Sequence, residues 1–404
     1  MAEIDKGLPN TRTQVELPGA EDTEVQISEE QTQKGPVEII PGEDGGATVD
    51  FDPSAVNQPS TESHFDNLAD ILPDEVLDPI GSELRANYTD YKSSRKEWER
   101  AYTEGLDLLG FKYENRNQPF QGSSGATHPV LAEAVTQFQA TAFKELLPAD
   151  GPVRTQILGS NSTEKESQAQ RVKDFMNYQI MDQMEEYEPE FDSMLFHLPL
   201  SGSTFKKVYY DDLLGRAVSK FVPADDLIVP YTANSLDDAA AIMHVLKISE
   251  NDLRKQQVGG FYSDIDLGTA GDNVKDEITN KEKELEGISK SGKQQNIFTL
   301  LECHVDLDID GFEDMGPEGE PTGIKLPYIV TIDEGSTKVL SIRRNYAPND
   351  PKRKRVQYFV HFKFLPGLGF YGFGLIHMIG GLSRTATSAL RQLLDAGTLS
   401  NLPA

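Results

Sequence analysis

The chain has 404 residues, 66 of them acidic and 38 basic, for a formal charge of −28. That balance excludes a general electrostatic grip on nucleic acid, which needs a basic face, but it leaves room for DNA that slides past a repelling surface. One cysteine, Cys303, excludes an intrachain disulfide framework. The longest apolar run, around Phe373–Leu382, is too short and glycine-rich to span a bilayer.

Residues 1–66 hold 15 Asp/Glu against 3 Lys/Arg, with Phe51 and Phe65 as their only large aromatics. Such a segment cannot bury enough apolar surface to offset its ordering entropy. A disordered acidic arm is expected, with order starting near Leu68. Residues 82–110 read as helix, stopped by Gly110. "THPVLAEAVTQFQATAFKELLPADG" (Thr127–Gly151) reads as a second helix with Pro129 in its first turn. Leu131, Val135, Phe138, Ala142 and Leu146 form its apolar stripe, and Pro148 ends it. Thr163 and Glu166 stand at capping-box spacing before a third helix, which Pro189 closes or kinks.

The pattern then turns mixed, so the fold class expected is α+β. "TFKKVYYDDLLGRAVSKFV" (Thr204–Val222) reads as a hairpin and "AIMHVLKIS" (Ala241–Ser249) as a strand. Ser249 and Asp252 then cap a short helix. Residues 263–296, rich in Asp, Lys, Glu, Gly and Ser, read as a mobile insertion. "FTLLECHVDLDIDG" (Phe298–Gly311) alternates, with Cys303, Val305, Leu307 and Ile309 on one face. Leu326–Tyr346 is a hairpin turning at Glu334-Gly335-Ser336, and Arg355–Pro366 holds another strand. No internal repeat is visible.

Gly367, Gly369 and Gly372 spell G-x-G-x-x-G after a strand and before a helix. A dinucleotide fingerprint also needs a following strand with an acidic residue at its end. Asp395 has the right distance but lies within the helix, and Phe370, Tyr371 and Phe373 crowd the loop. No G-K-[ST] is present, so there is no Walker A motif. Nucleotide binding is therefore the weaker reading of these glycines. The helix behind them is more informative. Leu375, Ile379, Leu382, Ala386, Ala389, Leu393 and Ala396 step by four and three, a heptad-like seam. Gly380, Gly381 and a run of small residues allow close helix approach. An ordinary packed helix and a helix packed against copies of itself both fit this seam.

Other motifs are weaker. Asp306, Asp308, Asp310 and Gly311 match the start of an EF-hand loop, but Pro317 takes the place of its last ligand and a strand precedes it. A solvated acidic turn fits better. Cys303 and His304 are adjacent in a strand and so point to opposite faces, which prevents a nucleophile–base pair. The seven histidines show no metal-ligand spacing. No catalytic, cofactor or metal residue is therefore assigned. The acidic run Glu185–Asp192 reads as solvated surface. Lys352, Arg353, Lys354 and Arg355 form the one basic block, either guarding a sheet edge or touching phosphate or an acidic partner.

Several stretches taken together carry a resemblance: "GSSGATHPVLAEAVTQFQATAFKELLPADGPVRTQI", "PLSGSTFKKVYYD", "FVPADDLIVPYTANSLDDA", "HVLKISENDLRK", "LLECHVDLDIDG", "LPYIVTIDEGSTKVLSIRRNY" and the chain from His361 onward. From about Ser82 the sequence resembles the N-terminal part of the portal protein, the head-to-tail connector of short-tailed bacteriophages. The resemblance implies a wing-like α+β domain over 67–364. It also implies a stem helix over 365–404, behind the glycine-rich entry. Such proteins are not enzymes. They form a homo-oligomeric ring, usually a dodecamer, at one vertex of the virion, and they assemble in the host cytoplasm. Double-stranded DNA passes through the ring in packaging and in genome ejection. Implied partners are other copies, major capsid or scaffolding protein, the terminase large subunit, tail adaptors and the DNA, with no membrane and no cofactor. Leu375, Ile379, Leu382, Arg384, Ala386, Ala389, Arg391 and Leu393 would face the channel or a neighbouring subunit. Family members continue into a clip that carries most of the terminase docking, so this chain is expected to stop where a clip begins. The alternatives are another oligomeric virion or adaptor ring protein, or a nucleotide-binding protein using Gly367–Gly372.

Overall fold

A computed structural model describes residues 38–41, 47–50, 64–111, 116–211, 214–268, 277–288, 297–316 and 320–401. The chain forms two compact units, 1–63 and 64–404. In the first, β1 (Glu38–Pro41) pairs antiparallel with β2 (Ala47–Asp50), Glu38 opposite Asp50. These eight residues depart from the disorder expected of the arm. The remainder of the arm up to Ser63 lies outside the described residues.

The second unit begins at His64, slightly ahead of the expected boundary. Helix α1 (Asp74–Ser94) starts eight residues before the expected helix and breaks at Arg95, and α2 (Lys96–Leu106) continues the chain. A 3-10 turn then ends at Gly110, whose φ of 73° only glycine adopts readily. Helix α3 (Val130–Leu146) follows Pro129. Leu131 and Val135 are buried, but Leu146 is exposed and Leu147 takes its place inside. Helix α4 (Thr163–Tyr178) is capped by Ser162, one residue before the expected cap, and buries no side chain. Pro189 neither closes nor kinks that helix; it sits in the first turn of the next, α5 (Tyr187–Ser201).

The β layer comes next. The hairpin β3 (Ser203–Asp211) and β4 (Arg216–Pro223) turns where expected, with Asp211 opposite Arg216. It is followed by β5 (Leu227–Ile228), β6 (Ala241–Ser249) and α6 (Glu250–Val258). The Ser249 hydroxyl accepts from the Asp252 N–H at 3.2 Å, as a cap should. Within the expected mobile insertion lies a formed helix, α7 (Glu277–Leu285), docked through Ile278 at 1% exposure. Residues 269–276 and 289–296 lie outside the described residues. The chain continues through β7 (Ile297–Leu307), β8 (Leu326–Asp333), β9 (Val339–Arg344) and β10 (Phe359–Lys363) to the long helix α8 (Leu375–Asn401).

Two antiparallel sheets result, in the orders β5-β6-β7-β8-β9 and β10-β3-β4. The larger sheet is covered on both faces. On one, Met243, Leu301, Cys303, Tyr328 and Val330 pack against Leu77, Leu84 and Tyr88 of α1. A Cβ on Gly81 would collide with the Thr337 carbonyl, so glycine is what lets α1 cross the β8–β9 turn. On the other face, Ile242 joins Phe205, Val222 and Phe359 of the smaller sheet. A third core unites α2, α3, α5, α7 and α8 through Tyr102, Leu106, Leu131, Leu200, Ile278 and Ile376.

Two polar features sit inside these layers. Arg95, 7% exposed, donates to the carbonyls of Ala224 (2.8 Å), Leu227 (3.0 Å) and Asp225, to the Tyr371 hydroxyl (3.0 Å) and to Glu99 (2.8 Å). Its flat fork donates to the carbonyls that the bend between β4 and β5 turns inward. Between the two sheets, Lys207 meets Glu302 at 2.6 Å and Glu302 meets His304 Nε2 at 2.9 Å. Burial alone would push the Glu302 carboxyl up; the Lys207 ammonium and His304 outweigh it and hold it well below the usual range. Burial lowers His244 to about 3, His197 to about 4 and His361 to about 3, and lowers His304 as well.

Two outcomes follow. Arg95→Lys keeps the charge but not the fork, and should lower the denaturant-derived stability by about 3 kcal/mol. The histidines are neutral when folded and bind protons when unfolded below their ordinary value of 6.5. Each therefore withdraws up to about 1.4 kcal/mol per pH unit as pH falls from there toward its folded value. The urea midpoint should fall steeply between pH 6.5 and 4. A midpoint level down to pH 4.5 would contradict their burial.

Candidate functional site

The glycine-rich entry, 365–374, is closed by its own backbone: the Phe373 N–H donates to the Leu365 carbonyl at 2.9 Å. It crosses the α5–β3 corner at backbone contact. The Gly372 N–H donates to the Ser203 hydroxyl at 2.7 Å. A Cβ on Gly372 would stand 2.9 Å from the Leu365 carbonyl and collide with that of Gly202. One on Gly374 would stand 2.6 Å from the Gly202 nitrogen, and one on Gly367 2.6 Å from the Tyr371 carbonyl. Gly369 alone of the three motif glycines has nothing within 4 Å. Phe370 and Tyr371 anchor the loop in the core, with Tyr371 stacked on Trp98 at 4.8 Å. The glycines thus serve a crossing of two chain segments, and the N–H groups at 372 and 373 are taken by the protein itself.

Helix α8 leaves this crossing, with the Gly374 N–H donating to His377 Nδ1 at 3.1 Å. Its buried stripe is Ile376, Gly380, Ser383, Thr387 and Asp395. The heptad-like seam is therefore not the face that packs within the chain. Leu375 and Ile379, at its start, are half-buried in the helical core. Ala386 is half-buried, while Leu382, Ala389, Leu393 and Ala396 are exposed, Leu382 at 66% and Leu393 at 72%. Met378 and Leu399 are exposed as well. Arg384 reaches Glu104 at 3.5 Å, both of them exposed.

Arg391 turns to its own chain. Its Nε–H donates to the Ala126 carbonyl at 2.7 Å, and its guanidinium to the Thr127 hydroxyl at 3.1 Å. Beside it, the His128 N–H donates to Thr387 Oγ1 at 3.0 Å and the Ser124 N–H to Asp395 Oδ1 at 2.6 Å. Thr387 and Asp395 lie off the heptad-like seam, and neither had a structural role in the sequence reading. Their signal was spacing alone, since Ile376, Gly380, Ser383 and Thr387 also step by four and three.

The basic block is not brought to α8. It lies in the loop before β10, an edge strand of the smaller sheet. The Asp350 carboxylate accepts from the Lys352 and Lys354 N–H groups at 3.0 and 2.9 Å. Arg353 pairs with Asp314, and Arg355 donates to the Ala239 carbonyl at 2.9 Å and meets Asp306 at 3.3 Å. Lys352 and Lys354 remain exposed. The EF-hand-like stretch follows a strand, and its Asp306 faces Arg355. Cys303 and His304 occupy opposite faces of the sheet, the first in the α1 core and the second against Glu302. Part of the acidic run is structural rather than solvated: Glu186 pairs with Arg216 at 2.8 Å and Glu190 accepts from the Phe221 N–H. Among the described residues no His, Cys, Asp or Glu group is arranged to hold a metal, and no helix is long and apolar enough to cross a membrane.

Substitution separates the two readings of the glycines. Gly372→Ala should destabilise by about 3 kcal/mol through forced backbone shifts. Gly369→Ala should stay within about 0.5 kcal/mol; thermal melts of the two variants compare them directly. Compared with models of known protein families and with curated proteins, the chain matches none.

Proposed function

We propose that this chain is a portal-type ring subunit. Copies would close a ring at one capsid vertex and line the channel for double-stranded DNA packaging and ejection. The observation that carries the reading is the outward face of α8. Within a chain of charge −28, this 27-residue helix has a single acid, Asp395, and that acid is turned inward. Copies of so acidic a protein repel one another, so they pack most easily where carboxylates are missing and apolar side chains are exposed. Met378, Leu382, Ala389, Leu393 and Leu399 make that surface. Rings also need a second, unlike face, because head-to-tail contacts join different patches. Helix α4 offers one, with Val172, Phe175, Met176 and Tyr178 exposed.

The role is structural. The crossing that occupies the glycine loop supports this over nucleotide binding. The exposed Lys352 and Lys354 are the residues of the basic block best placed to meet phosphate or an acidic neighbour. The partners of this reading are other copies, capsid or scaffolding protein, the terminase large subunit, tail adaptors and the transported DNA.

Light scattering on a size-exclusion column, with negative stain of the same peak, tests it. A ring of about twelve subunits with a central hole is expected. Leu382→Glu combined with Leu393→Glu should leave monomers with an unchanged far-UV spectrum. A compact closed dimer without a channel, or a monomer at every concentration, overturns the reading.

A further inference from the structure

The two halves of α8 are held by different physics. Residues 375–383 sink Ile376, with Leu375 and Ile379, into the core of α2, α3 and α5. Beyond Ser383 the helix buries only Thr387 and Asp395, and Leu393, Leu394 and Leu399 are exposed. Its attachment there is the exposed Arg384–Glu104 pair at 3.5 Å and a row of hydrogen bonds to the segment 124–128: Asp395 to Ser124, Arg391 to Ala126 and Thr127, and Thr387 to His128. Beneath this half lies a groove of about 790 Å³, lined by Arg116, Phe120, Asp107, Gln392 and Leu399 among others. No apolar core has to be opened to move it. Side-chain bonds to backbone exchange readily for bonds to water, unlike buried apolar contact.

The boundary between the halves is marked in the chain. Gly380 and Gly381 sit there, an adjacent pair of the least helix-favouring residue type. A Cβ on Gly380 would stand 3.4 Å from Leu108, and one on Gly381 would have nothing within 4 Å. The Thr385 hydroxyl donates back to the Gly381 carbonyl at 2.9 Å, a contact that favours bending. Bends in long helices gather at such glycines.

We propose that residues 384–401 of α8 form an arm that swings as a rigid unit about the turn Gly380–Ser383, and that the Thr387, Arg391 and Asp395 contacts to 124–128 are a latch for its docked position. The swing would redirect the exposed leucine seam without unfolding the helix or disturbing the core under Ile376. It stands apart from the ring reading, since a latched arm can exist in a monomer as in a ring.

Electron–electron distance measurements on the full chain test it. Spin labels go on Ser400→Cys in the arm and Glu97→Cys on α2, both exposed positions. Cys303, fully buried, takes no label. Dilution with unlabelled chain removes distances between copies. Thr387→Val and Asp395→Ala together should add a second, defined distance, with the open-to-docked ratio rising about fivefold per bond removed. Gly381→Ala, which fits the open space there, should reduce that second population. One unchanged distance in the latch variant overturns the proposal. So does a broad, featureless distribution with loss of helical signal, which would mean fraying instead of swinging. A second population indifferent to Gly381→Ala overturns the pivot.

Discussion

The arrangement of layers depends on one buried guanidinium. Arg95 stands where α1 ends and α2 begins, and from there it binds three carbonyls of the β4–β5 bend and the hydroxyl of Tyr371. Three parts of the chain far apart in sequence meet at this side chain. Its cost of burial is offset because every direction of the fork finds an oxygen, and Glu99 supplies the counter-charge. Trp98 and Tyr371 stack beside it and keep water away. The helical layer, the sheets and the glycine-rich entry therefore share one reference point, and the direction in which α8 leaves the body is set relative to it.

The α+β class, the strand spacings and the hairpin turns were legible because they rest on local signals. Alternation in Phe298–Gly311 and the turn at Gly215 each have a short-range cause. What was not legible has a long-range cause. Arg95 lies in "KSSRKEWER", which looks like any charged helix surface; its partners are about 130 and 276 residues away. The helix α7 was hidden in a polar segment because its docking rests on two scattered apolar side chains, Ile278 and Leu285, and the Lys281–Asp107 pair. The cap of α4 slipped by one residue because Ser162 and Thr163 are chemically equivalent caps.

In α8 two faces share one period, and the sequence leaves open whether the apolar seam packs within the chain or against copies of it. Within the chain Leu375, Ile376 and Ile379 pack at the start of the helix, and beyond them it is the small and polar face that packs. Hydropathy cannot see a pair such as Thr387 and Asp395, because its binding energy lies in hydrogen bonds to another segment's backbone. That arrangement leaves the leucines outside, and a leucine-rich exterior on an acidic protein is the feature that calls for a neighbour.

The crossing of Gly202 with Gly372 and Gly374 bears on where the chain tolerates changes of length. Two backbones in contact, each tied to a sheet or a core on either side, fix the number of residues between Lys363 and Leu375. An added residue there would have to bulge into the Phe370 pocket or lift α8 from its seat. Homologous chains should therefore keep the number of residues in this stretch fixed.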